Sequence, residues 1–285
     1  MAIASDTSRR ARARALAVKV PQITLVFWVL KLITTGMGES MSDYLAHHSI
    51  PIGGAVGILG FSFAMWLQFR TPEYRAPVYW FAVMMVAIFG TMGADVLHVV
   101  MNIPYTVTTP FFAIAVAVIF LAWYRVEGTL SIHSINTPRR ELFYWVAVLA
   151  TFALGTAAGD LAAYTLNLGF WPAALLFAAV MAVPAIGWAG GVLNPVFAFW
   201  FAYIVTRPLG ASIADGLGKP IAGGLGLGDG LVSGIAFVAF VGLVAWVTVT
   251  RRDVQRPAVA GSRPPHRAHP HMPESIGVQA QPAEN

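Results

Sequence analysis

The chain has no cysteine and few charges, and each shortage excludes something. Without thiols there are no disulfides, no thiolate metal sites and no thiol redox sensing in any compartment. Charged residues make up 11% of the sequence against 57% hydrophobic, and the mean hydropathy is +0.68. A soluble domain is about half apolar and about a quarter charged. The composition therefore describes an integral membrane protein. The formal charge of +5 gathers at the ends of the apolar region, in Arg9, Arg10, Arg12, Arg14 and Lys19 and again in Arg251, Arg252 and Arg256. No aromatic residues interleave these clusters as a nucleic-acid groove requires, so the expected partner is the lipid bilayer.

Enzyme signatures are also missing. There is no phosphate loop, no Gly-x-Ser-x-Gly elbow and no His-Glu-x-x-His. Gly226-Leu227-Gly228-Asp229 spells the Gly-x-Gly-Asp of intramembrane aspartyl proteases, but their second aspartate sits in a Tyr-Asp pair that this sequence lacks. The seventh span holds no retinal lysine. Neither an enzyme nor a bound cofactor is expected.

What is present is a repeat. An aromatic-Trp pair is followed ten residues after the Trp by Gly and fifteen after it by Asp, four times over. The copies are Phe27-Trp28, Gly38, Asp43; Tyr79-Trp80, Gly90, Asp95; Tyr144-Trp145, Gly155, Asp160; and Phe199-Trp200, Gly210, Asp215. Apolar runs read as spans at about 24–45, 51–69, 78–101, 108–124, 142–165, 169–190, 194–214 and 229–250, and each copy opens an odd-numbered span. The expected fold is all-α: eight transmembrane helices arranged as four parallel two-helix repeats, at about 19–70, 71–125, 136–190 and 191–252.

Arginine and lysine mark the cytoplasmic side. The N-terminus, the turn with Arg70 and Arg75, the loop with Arg125, Arg139 and Arg140, and the tail after Arg251 share one side, so both termini are expected in the cytoplasm. The opposite connections carry only Lys219. Fifteen helical residues at about 1.5 Å each place all four Asp roughly 22 Å up a hydrocarbon layer of about 30 Å. Trp66, Trp123, Trp188 and Trp246 fall at the level of the motif tryptophans, which predicts an interfacial belt; Trp171 lies elsewhere. Residues 1–18 lack the apolar core of a signal peptide, so the first span is expected to target the chain, and composition predicts that 1–18 and the Pro- and His-rich 257–285 stay unfolded. His266, His269 and His271 are read as part of a solvated tail.

Ionisable residues at membrane depth are functional candidates because they are costly there. The acids are Glu39, Asp43, Asp95, Asp160 and Asp215; the bases are Lys31 and Arg207. Lys31 is expected to snorkel to the cytoplasmic surface, and Arg207 to pair with an acid on a neighbouring helix. Five carboxylates against one guanidinium need cations or protons. Glu39, Asp43 and His47 recur every four residues on one helix face, and Asp95 and His98 share another. Carboxylate plus imidazole without thiol suits a first-row divalent ion, with Glu39, Asp43, Asp95 and His98 as candidate ligands. Met37, Met41 and Met92 read as packing. Four before each Asp stand Glu39, Thr91, Thr156 and Ala211, a row in which only the first copy keeps an acid. Nine before it, Thr34, Thr151 and Thr206 read as hydroxyls bonded to backbone or to a partner helix. The repeated Gly reads as close helix approach, and the Asp as either ion handling or a structural hydrogen bond between units.

The segment Lys19-Val20-Pro21-Gln22-Ile23-Thr24-Leu25-Val26-Phe27-Trp28, with Lys31, Gly38-Glu39-Ser40 and Asp43-Tyr44, resembles a family of bacterial membrane-anchored proteins made of four tandem two-helix repeats of unknown function, each with a characteristic tryptophan. The resemblance spans about residues 19–250 and implies that architecture and a multi-pass place in the bacterial inner membrane. It implies no activity. The residues themselves point to a secondary transporter, a proton-coupled exporter of a divalent metal such as manganese. Glu39, Asp43, Asp95, His98, Asp160 and Asp215 would bind the ion or carry protons, and His47 and Arg207 would gate or counter-charge the site. The alternatives are a proton-coupled carrier of a small organic solute, and a non-transporting scaffold or sensor in which each Asp is paired between helices. Oligomeric state is not readable from the sequence.

Overall fold

A computed structural model describes residues 18–255. The basic N-terminus up to residue 17 and the tail from residue 256, with His266, His269 and His271, lie outside the described residues. Eight long helices follow one another: α1 (Leu25–His48), α2 (Ile50–Arg70), α3 (Ala76–Asp95), α4 (Tyr105–Glu127), α5 (Pro138–Asp160), α6 (Phe170–Ala189), α7 (Pro195–Gly218) and α8 (Asp229–Thr250). With the turns that continue α3 to Val100 and α5 to Thr165, they coincide with the apolar runs to within four residues. Their starts are chemically marked. Thr24, Thr137 and Asn194 accept backbone N–H groups at the first turns of α1, α5 and α7, and proline opens α2, α3, α5 and α7, where its missing N–H leaves nothing unpaired. Directly after Asp95 and Asp160 the helices of α3 and α5 widen into π-turns, Val96–Val100 and Leu161–Thr165.

Seven of the helices, α2 to α8, are long and apolar enough to cross a membrane, and the chain is a multi-pass membrane protein by that measure. α1 matches them in length, but Lys31, Glu39 and Asp43 lower its apolarity.

The odd helices form a closed inner ring in the order α1, α3, α5, α7 and back to α1, and each even helix lies outside it, chiefly against the ring helix that follows; α8 packs on α1. Burial follows this division. In the most apolar 18-residue window, 44–67% of α3, α5 and α7 is buried, against 17–22% of the even helices. The outer helices show Leu59, Ile114, Leu175 and Val238 to the surroundings, as a lipid-facing layer should.

Two rows of contacts close the ring. At the first, the aromatic residue of each motif meets the tryptophan of the next: Phe27 to Trp80 at 5.7 Å between ring centroids, Tyr79 to Trp145 at 5.6 Å, Tyr144 to Trp200 at 6.0 Å, and Phe199 to Trp28 at 5.9 Å. Trp80, Trp145 and Trp200 are buried in these contacts, as is Trp123, so the expected interfacial belt is corrected. These indoles hold helices together, while Trp66, Trp188 and Trp246 stay exposed. At the second row, a side chain on each motif glycine would strike the next ring helix: Gly38 meets Ala87, Gly90 meets Phe152, Gly155 meets Arg207 and Pro208, and Gly210 meets Thr35 and Gly36. Close approach is what the glycines provide. Thr34, Thr151 and Thr206 each return their hydroxyl to a carbonyl three or four residues back.

The glycine row predicts a contrast. Gly210→Leu overpacks the α7–α1 contact and is expected to cost about 1–3 kcal/mol. Gly242→Leu adds a side chain where nothing lies within 4 Å and is expected to be neutral. Thermal unfolding of the two variants in detergent checks this.

Candidate functional site

Three layers of polar chemistry stack inside the ring. Nearest the tryptophans, the hydroxyls of Tyr79 and Tyr144 lie 2.5 Å apart, and Tyr203 is fully buried beside them. Lys31 follows, 1% exposed, with its ammonium 3.9 Å from the centre of the Phe152 ring and 4.2 Å from that of Tyr203. Its Nζ has no hydrogen-bond partner among the described residues. The expectation that Lys31 snorkels to the surface is therefore corrected: the aromatic row closes the ring below it, and the side chain is held by the faces of two rings.

The second layer is centred on Arg207, which is 0% exposed. Its Nη2 donates to Glu39 Oε2 at 2.5 Å, to Thr156 Oγ1 at 2.6 Å and to Thr91 Oγ1. Its Nη1 reaches the Thr35 carbonyl at 3.4 Å. A single guanidinium on α7 thus binds all three other ring helices. Glu39, Thr91 and Thr156 are the residues four before the Asp in the first three copies, and the fourth copy has Ala211 there. The expected pairing of Arg207 with an acid of a neighbouring helix is present. Buried charge of this kind needs both a counter-ion and further hydrogen bonds, and the two threonines supply them.

The third layer holds the repeated aspartates. Lys219, four residues after Asp215, places its Nζ 2.9 Å from Asp43 Oδ2 and 3.0 Å from Asp215 Oδ1. Both contacts are ion pairs at the distance of a charge-assisted hydrogen bond. Burial lowers the Lys219 pKa and the carboxylates of Asp215, Asp43, Glu39 and Asp160 raise it; the second effect wins, and the amine stays above the usual lysine range and charged. One carboxylate oxygen each from Glu39, Asp43 and Asp215 lie within 4.8 Å of one another.

Beside this cluster lies a cavity of about 550 Å³, lined by Glu39, Ser42, Asp43, Asp95, Asp160 and Lys219 on its polar side and by Ala46, Ile50, Met92, Val96 and Val99 on its apolar side. Tyr105, Tyr164, His47 and His98 complete it. The hydroxyl of Ser42 is buried without a partner. Asp215 does not line the cavity itself but adjoins Glu39, Asp43 and Lys219, which do.

The two candidate histidines stand apart from the carboxylate cluster. His98, in the first π-turn, places Nδ1 2.9 Å from the Ile103 carbonyl and stacks on Tyr105 at 3.6 Å. His47 is 73% exposed, with Nδ1 3.4 Å from Asp229 Oδ2 at the cavity rim. The proposed metal set of Glu39, Asp43, Asp95 and His98 is thus brought to one cavity, but its converging oxygens come from Glu39, Asp43 and Asp215. Sequence reasoning missed Lys219, which it counted as a loop charge. The signal was available: Lys219 follows Asp215 by the same four residues that separate His47 from Asp43.

The chain contains three consecutive matches to the family described as Repeat of Unknown Function (DUF347), over residues 78–129, 143–190 and 198–253. These cover more than half of its length, and the chain belongs to that family. No curated protein and no solved structure matches it.

The Arg207 layer yields a prediction. Arg207→Met leaves Glu39 buried without its counter-charge and is expected to destabilise the fold by about 3–5 kcal/mol. The double variant Glu39→Gln with Arg207→Met should recover a large part of that loss. A double-mutant cycle on unfolding midpoints in detergent measures the recovery, and simple additivity of the single effects would contradict the pairing.

Proposed function

We propose that this protein is a secondary transporter that exchanges a divalent metal cation for protons, exporting the metal across the bacterial inner membrane. In this reading the eight helices are eight spans in four parallel two-helix repeats, both termini are cytoplasmic, and the Asp end of the ring faces outward. The observation behind it is the convergence of carboxylate oxygens from Glu39, Asp43 and Asp215 within 4.8 Å beside a cavity that also presents Asp95 and Asp160. Arg207 and Lys219 supply two positive charges near five carboxylates, so full ionisation leaves an excess of negative charge that a cation or protons must balance.

The donors narrow the cation. Carboxylate oxygens with the free hydroxyl of Ser42, and no imidazole among the converging atoms, suit an oxygen-preferring ion such as Mn²⁺ better than Zn²⁺ or Cu⁺. The π-turns after Asp95 and Asp160 hold local backbone distortion of the kind often found at functional sites.

One observation favours a second reading. A cavity of about 550 Å³ with Tyr105, Tyr164 and an apolar wall exceeds the needs of a bare ion and fits a small organic cation.

Reconstituted protein separates the two. With an imposed proton gradient, proteoliposomes are expected to take up Mn²⁺ and to move protons the other way. Asp43→Asn and Asp95→Asn are expected to reduce the flux by about ten- to a hundredfold. Unchanged uptake of every divalent ion tested would end the metal reading, and an aspartate-dependent flux of organic cations instead would establish the second.

A further inference from the structure

Lys219 stands in the space that a bound cation needs. Its ammonium lies 2.9 Å from Asp43 and 3.0 Å from Asp215, and these two residues with Glu39 supply the converging oxygens. A metal ion bridging Asp43 and Asp215 cannot share those oxygens with the ammonium at such distances. The charge on Lys219 is the kind of charge the site is built to bind.

The backbone that delivers Lys219 is constructed for the purpose. α7 ends at Gly218, and the chain folds back along it: Leu225 N–H bonds to the Gly216 carbonyl at 2.7 Å, Leu227 to Leu217 at 2.9 Å and Gly228 to Gly218 at 2.9 Å. Gly226 also donates to the carbonyl of Lys219 itself. The return needs Gly226 and Gly228 at φ +68° and +87°, and it needs Gly224, where a side chain would run into that same carbonyl. The main chain of Lys219 is therefore fixed, whereas its side chain is held only by its contacts with the two carboxylates and remains 18% exposed. Next to it, the buried and unpartnered hydroxyl of Ser42 lines the cavity and offers a further oxygen to a ligand.

We propose that Lys219 is a tethered substitute for the transported cation: it pairs with Asp43 and Asp215 when the site is otherwise empty, and the arriving cation displaces it into the cavity. This rests on the transport reading above. Two consequences follow. Affinity is lowered by the fraction of carriers in which the ammonium holds the site, so a bound cation can be released. With the ammonium in place one proton on the pair completes its neutralisation, so the metal-free carrier can return carrying protons rather than two bare carboxylates.

Binding of Mn²⁺ by calorimetry and Mn²⁺ flux in proteoliposomes, on the full chain and on Lys219→Gln, test the proposal. Lys219→Gln is expected to bind Mn²⁺ about tenfold more tightly and to lose net flux, while equilibrium exchange of Mn²⁺ across the membrane persists. A second measurement needs no variant. Labelling of Lys219 by an amine-reactive reagent, read by peptide mass spectrometry, is expected to rise at saturating Mn²⁺. If the chain binds Mn²⁺ and neither the affinity of Lys219→Gln nor the labelling changes, Lys219 is a fixed structural charge and the proposal is overturned, with the transport reading intact. If neither protein binds Mn²⁺, the metal reading fails and takes this proposal with it.

Discussion

The contact on which the rest depends is the approach of neighbouring ring helices at the glycine row. Gly38, Gly90, Gly155 and Gly210 each sit where a side chain would collide with the next helix, so the four backbones draw together around a narrow interior. Once they do, residues at equal offsets from the glycines must face one another. The aromatic-Trp pairs, ten residues earlier, become a closed chain of ring contacts, and the aspartates, five residues later, become neighbours. No long-range signal is needed to gather the charges, because register and proximity do it. The cost is that ionisable groups end up at close quarters in a region of low polarity.

Arg207 answers part of that cost and divides the acids into two populations. Glu39 gives Oε2 to it, together with the hydroxyls of Thr91 and Thr156, in a node that touches every ring helix. Buried ion pairs seldom add net stability over a well-packed apolar alternative, but breaking one is expensive. A node with four participants therefore specifies how the ring helices are aligned more than it strengthens them. Asp43 and Asp215 are left to Lys219, while Asp95 and Asp160 face the cavity.

The helices were legible in the sequence because apolar runs, proline starts and polar caps are local signals. The role of the glycines was legible too, since their spacing from the tryptophans never slips. The errors have a common physical origin. Lys31 was read as a snorkelling residue from its distance to Trp28, but Trp80, Trp145 and Trp200 are buried between helices, and a lysine one turn above a closed aromatic layer has no route to the surface. Lys219 reads as a charge in the connection after the seventh apolar run, although its backbone N–H still bonds to the Asp215 carbonyl one turn back, and it is Asp43 on another helix that draws the side chain inward. His98 does line the same cavity as Asp95, but in the π-turn that begins at Val96 its Nδ1 meets the Ile103 carbonyl, and it is not among the converging donors. In each case the deciding contact comes from another element or from a local departure from the ideal helix.

The divergence among the four motif copies gains a meaning from this geometry. The row four before the Asp reads Glu39, Thr91, Thr156 and Ala211, and the first three converge on one guanidinium that rises from the turn below the fourth. Four equal acids there would have repelled one another; one acid, two hydroxyls and a small residue make room for a single Arg. The row four after the Asp reads His47, Val99, Tyr164 and Lys219, and all four line the cavity. Equal offsets thus become a lock on one side of the aspartates and a varied wall on the other. A ring of identical copies would present a ligand with the same group from every direction, whereas this one places its cation, its aromatic face and its apolar face at different points of the circumference. The repeated positions build the frame, and the chemistry resides in the positions where the copies differ.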